Sequence, residues 1–186
     1  NTFPDAWADF AGPAPERARR SVPAMLDWCF EQMQAEIAGG LTALGRLGED
    51  GIGPEEMRAS TLYRWTEYED RLSYLDNPAE AVLKGLKARG PDFIASRALI
   101  EVHYFRRGCF LERDQLLAHA RQLSNIPMHI LHSRYDMVCP ASAAFELAAA
   151  CPHAGFDLVP VNGHAMTEAT QPVLNRIMSR MAKTVT

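Results

Sequence analysis

The sequence predicts an α/β chain of two parts, a helical region over residues 1–124 and a strand-helix-strand-helix run over 125–186. Three observations carry this. Apolar residues recur at helical spacing up to about Asn125, short β-prone runs then alternate with helical ones, and the breakers fall between these patterns rather than inside them. In the first part "PAMLDWCFEQMQAEI" reads as a helix. "GPEEMRASTLYRWTEYEDRLSYL" reads as one amphipathic helix, with Met57, Thr61, Tyr63, Trp65 and Tyr68 set against charges on the other face. "NPAEAVLKGLKARG" and "PDFIASRALIEVHYFRR" follow, marked off by Asn77-Pro78 and Gly90-Pro91.

In the second part "IPMHILHSRYD" is a short strand that ends in a polar turn. "PASAAFELAAACP" is a helix between Pro140 and Pro152, "GFDLVPVNGH" a second strand and "TQPVLNRIMSRMAK" a second helix. Such alternation predicts a parallel sheet with helices on its faces. Two strands do not make an independent sheet, so the remainder is expected to come from sequence upstream of Asn1.

Composition narrows the function classes. At 186 residues and 47% hydrophobic, the chain is long enough to bury a core. A net charge of -4 with no long run of one sign excludes the electrostatic footprint of nucleic-acid binding, so small or peptidic partners are expected. The four cysteines, Cys29, Cys109, Cys139 and Cys151, form no C-x-x-C pair and read as reduced thiols packed as small hydrophobes. No apolar run approaches the ~20 residues that span a bilayer, and "NTFPDAWADF" lacks the features of a signal peptide. The expectation is a soluble, cytoplasmic protein with no membrane partner. A first residue that is not Met reads as a processed or truncated chain.

Asp136 and His164 each follow one of the two strands, and catalytic groups in parallel sheets gather at the carboxyl ends of strands. A histidine acting as general base needs its other ring nitrogen held, which a buried carboxylate does. Asp136 also suits a helix cap or an Asx-turn, and His164 a turn residue after Asn162-Gly163. Acid before histidine is the chain order of the α/β-hydrolase fold.

"IPMHILHSRYDMVCP", "VNGHAMTE", "EVHYFRRGCFLERDQLL" and "FPDAWADF" together resemble the proline iminopeptidases (prolyl aminopeptidases), serine peptidases of the α/β-hydrolase fold that remove an N-terminal proline. The resemblance covers nearly the whole chain and is densest from Glu101 to His164. It implies a partial α/β-hydrolase: residues 1–124 as the helical cap, 125–186 as the last strand-helix-strand-helix units of the core, and the N-terminal half of the core missing. It also implies Asp136 as triad acid, His164 as triad base, and Glu69 and Glu101 as cap glutamates that bind the substrate's α-amino group. Tyr104, Phe105 and Trp65 are candidates for an apolar wall around the proline ring. Glu67 and Asp70 lie beside Glu69, so the register at that glutamate has neighbouring alternatives. No metal or organic cofactor is expected, and the partners implied are a peptide with a free N-terminal proline and the missing half of the core.

The sequence departs from the family after the histidine, where Ala165-Met166-Thr167-Glu168-Ala169-Thr170 replaces a Ser and a later Glu-Pro-Gly, and at His132-Ser133, where a turn with Gly is common. None of its eight serines, Ser21, Ser60, Ser73, Ser96, Ser124, Ser133, Ser142 and Ser179, lies in a G-x-S-x-G elbow. Cys139 is set aside as a substitute nucleophile because it shares the acid's own turn. The chain alone is therefore expected to be inactive. Two other readings stand beside this one: a different capped hydrolase acting on esters, lactones or epoxides, and a non-catalytic interaction module.

Overall fold

A computed structural model describes residues 3–183. They divide into two compact units, one running to Arg71 and resuming over Asp76–Leu111, the other made of Leu72–Leu75 and the chain from Glu112 on.

The first unit is all-helical: α1 (Pro4–Ala11), α2 (Glu16–Arg19), α3 (Val22–Ala38), α4 (Thr42–Gly45), α5 (Pro54–Met57), α6 (Thr61–Ser73, its last residues grouped with the second unit), α7 (Ala79–Arg89) and α8 (Pro91–Arg106). Proline stands in the first turn of α1, α3, α5 and α8, where the missing N–H has no intrahelical partner to lose. The core draws Met25, Cys29 and Met33 from α3, Leu62 and Tyr63 from α6, Leu86 from α7, and Ile94, Ala98 and Val102 from α8.

The long helix expected from Gly53 to Leu75 is broken at Ser60. The Ser60 hydroxyl accepts from Tyr63 N at 3.1 Å, and Glu36 Oε2 accepts from Thr61 N at 3.0 Å and Leu62 N at 3.4 Å. These oxygens satisfy the first N–H groups of α6 and start it afresh. The sequence of α6 is amphipathic as expected, but its polar face is not solvated: every residue from Thr61 to Glu67 is buried. Its charges are paired inside: Glu67, 2% exposed, is gripped by Arg58 through Nε at 2.8 Å and Nη2 at 2.7 Å, and Arg64 donates to Thr61 Oγ1 and to the Arg58 carbonyl. A fork-to-fork pair offsets the desolvation that would otherwise keep these charges on the surface.

The second unit holds α9 (Gln115–His119), β1 (His129–Ser133), α10 (Ala141–Ala150), β2 (Gly155–Val159) and α11 (Gln171–Ala182). The strands pair in parallel, from His129 opposite Gly155 to Ser133 opposite Val159, with α10 as their crossover. Packing changes at Glu112, ahead of the change in composition at 125: Ala120, just after α9, is buried, and Cys151 Sγ lies 3.6 Å from its carbonyl. The fold is thus α/β, mostly helical, with a two-stranded parallel sheet.

The cysteines correct the sequence reading in part. All four are free thiols, but only Cys29 and Cys151 are buried, while Cys109 and Cys139 are exposed. Burial pushes the Cys29 thiol up to about 12, as suits a packing residue. Cys109 is exposed in a left-handed turn in which Gly108, Cys109 and Phe110 all have positive φ, 56°, 55° and 58°. Among the described residues no helix is long and apolar enough to cross a membrane.

Candidate functional site

In the second unit the two strands end side by side, and each end leads into a loop that carries one of the predicted residues. Arg134 N donates to Val159 O at 3.0 Å and Tyr135 N to Asn162 O at 3.2 Å, so the loops stay joined beyond the sheet. The Asp136 side chain, 5% exposed, uses both oxygens. Oδ1 accepts from Val138 N at 3.0 Å and Cys139 N at 2.7 Å, which is an Asx-turn leading to α10. Oδ2 lies 2.9 Å from His164 Nδ1. The turn and histidine-partner readings of Asp136 therefore hold together, one on each oxygen.

A carboxylate only accepts, so the hydrogen sits on Nδ1 of His164 and leaves Nε2 with a lone pair. With 42% of its side chain exposed, His164 can present that nitrogen to a ligand. Gly163 fits the loop because a Cβ there would fall 2.7 Å from Ser73 O, the same carbonyl that accepts from Ala165 N at 2.8 Å. His132 Nε2 donates to Cys139 O at 3.0 Å and steadies the far side of the Asx-turn.

In the first unit the two predicted glutamates meet. Glu69, on α6, shares a side-chain hydrogen bond with Glu101, on α8. Arg97, one turn before Glu101, reaches Glu101 Oε1 at 3.0 Å, Asp70 Oδ1 at 2.6 Å and Glu69 Oε2 at 3.2 Å. Trp65 Nε1 donates to Glu101 Oε2 at 2.8 Å. Burial, then the hydrogen bond and negative charge of Glu101, push the Glu69 carboxyl up to about 8, against the pull of Arg97. Of the neighbouring acids, Asp70 joins this cluster through Arg97, whereas Glu67 is committed to Arg58.

Beside the cluster, and within the same unit, lies a cavity of about 350 Å³ walled by Trp7 and Phe10 of α1, Met25 and Leu26 of α3, and Trp65, Tyr68 and Glu69 of α6. Arg19, Ser21 and Val22 complete the lining, so it offers aromatic faces, one carboxyl and one guanidinium; the aromatic faces and the carboxyl suit an apolar ring that carries an ammonium. Of the predicted wall residues only Trp65 lines it. Phe105 is half-exposed with its ring 6.1 Å from that of Trp65, and Tyr104, also half-exposed, packs edge-on against Phe110 at 5.3 Å.

The chain is 31% identical over 170 residues to a probable proline iminopeptidase of Leptolyngbya boryana, an alignment covering 90% of this chain and 45% of the relative. It is 32% identical over 167 residues to a proline iminopeptidase of Xanthomonas citri, covering 89% and 46%, and 30% identical over 167 residues to one of Arabidopsis thaliana, covering 89% and 38%. The chain is a relative of the proline iminopeptidases. It spans about half the length, or less, of these proline iminopeptidases. No protein-family model matches it.

Likeness to proline iminopeptidases drew attention to Glu69 and Glu101 but not to Arg97 between them, nor to the aromatic walls Trp7, Phe10 and Tyr68. Arg97 had a signal in the sequence, since it stands four residues before Glu101 on a helix, the spacing of an ion pair. The walls had a weaker one: Trp7 and Phe10 belong to "FPDAWADF", singled out as a segment though not as a pocket.

Proposed function

We propose that this chain is part of a serine aminopeptidase that releases N-terminal proline from peptides, contributing the acid, the base and the amine-binding carboxyls. The observation that carries the reading is the 2.9 Å contact from His164 Nδ1 to a buried Asp136 at the carboxyl ends of two adjacent parallel strands. A serine attacks the proline carbonyl, His164 Nε2 takes its proton and returns it to the leaving amine, and Asp136 holds the ring in the working tautomer. The serine is supplied by a further part of an α/β-hydrolase core, because no serine here lies in a nucleophile elbow and the relatives are about twice as long. The same further part completes the two-stranded sheet. Alone, these residues turn nothing over.

In the cap, the substrate's ammonium replaces the proton on Glu69, with the ring against Trp65, Tyr68 and Phe10. Arg97 and Trp65 already engage both oxygens of Glu101, so Glu101 supports the amine through the shared cluster. That same self-satisfaction favours a second reading, a capped hydrolase of neutral esters that needs no amine.

Protein expressed from the complete reading frame separates the two. L-Proline arylamides are expected to be cleaved faster than neutral esters. His164→Ala should lower kcat at least about a thousandfold, and Glu101→Gln should chiefly raise KM. Undiminished turnover without His164 would rule out its role as base, and faster ester cleavage would favour the second reading.

A further inference from the structure

Asn162 is 3% exposed, and both ends of its amide are hydrogen-bonded. Nδ2 donates towards Ser133 Oγ at 3.0 Å, Gly163 O at 2.8 Å and Ala165 O at 2.9 Å, while Oδ1 accepts from Thr167 Oγ1 at 2.5 Å. The orientation is fixed chemically: two backbone carbonyls face one end of the amide and only accept, so that end is the nitrogen. Its main-chain carbonyl takes Tyr135 N at 3.2 Å. These partners fall on both loops of the candidate site. Ser133 ends the acid's strand and Tyr135 precedes Asp136, whereas Gly163 and Ala165 flank His164.

We propose that Asn162 is a positioning residue for the Asp136–His164 pair, fixing one strand-end loop against the other so that Nδ1 of His164 faces Asp136 Oδ2. This rests on the reading of His164 as the base. A buried amide that served stability alone would leave the histidine ring unaffected once the protein had folded. A positioning residue acts on the ring, because Nδ1 keeps its hydrogen only while the carboxylate is in place to accept it.

The test uses protein expressed from its own gene, with ¹⁵N-labelled histidine, and long-range ¹H–¹⁵N spectra that show which ring nitrogen of His164 bears hydrogen. Wild type is expected to carry it on Nδ1. In Asn162→Ala, His164 should pass largely to the Nε2–H form while His103, His119, His129 and His153, which do not touch the Asp136 turn, stay unmoved, and in the complete protein kcat should fall about a hundredfold with KM little changed. Should that variant not fold, Ser133→Ala, which removes one acceptor of the amide, decides the matter by a smaller shift in the same direction. A wild-type His164 on the Nε2–H form would overturn the Asp136–His164 reading itself. A wild type on Nδ1–H whose form is unchanged in the folded variants would overturn the role of Asn162 alone.

Discussion

Burial beside Glu101 lifts the Glu69 carboxyl to about 8, against 4.5 for the free side chain. Between those values the folded protein keeps a proton that the unfolded chain has released, so stability falls as pH rises from about 4.5 to about 8 and levels off beyond. Glu69→Gln keeps the shape without the titration. Urea unfolding at pH 5 and pH 8.5 should show a loss in wild type that the variant lacks, and equal losses in both would mean that Glu69 is ionised throughout. Residues whose role depends on one neighbour in sequence were the easier to read. Asp136 was legible as a turn former and as a histidine partner because both roles follow from its place after a strand. Arg97 was not singled out, since its importance comes from reaching Asp70 and Glu69 on another helix.

At the scale of elements, α6 holds charges inside as well as an apolar stripe. Arg58→Ala would leave the Glu67 carboxylate buried without its bidentate partner, which is expected to cost about 3–5 kcal/mol in urea unfolding. A loss below about 1 kcal/mol would show that water reaches Glu67. The break before α6 was hidden in the sequence because helical spacing continues through it, and one of its caps, Glu36, comes from a helix 25 positions earlier. The tail was legible for the opposite reason. Strand and helix there alternate with prolines at Pro140 and Pro152 between them, and β1, α10, β2 and α11 fall where that punctuation puts them.

At the scale of the whole molecule, the second unit buries little apolar surface of its own. Of the strand residues only Ser133 and Val159 are buried, α10 buries only Ala144, and Phe145, Val161 and Met178 are half or more exposed. Parallel sheets are stable when covered on both faces, which two strands and two helices do not achieve. The first unit has an extensive core and an aromatic cavity, while Val22, Ile100 and Phe110 stand exposed on it. On the proposed reading, a sheet of two half-buried strands and a match to about half the length of the proline iminopeptidases go with a nucleophile outside these residues. The most direct measurement is to label protein from the complete reading frame with a fluorophosphonate and locate the adduct by peptide mass spectrometry. The expected result is one labelled serine in a G-x-S-x-G sequence outside residues 1–186, with labelling lost in His164→Ala. No adduct, or an adduct on any of the eight serines of this chain, would contradict it.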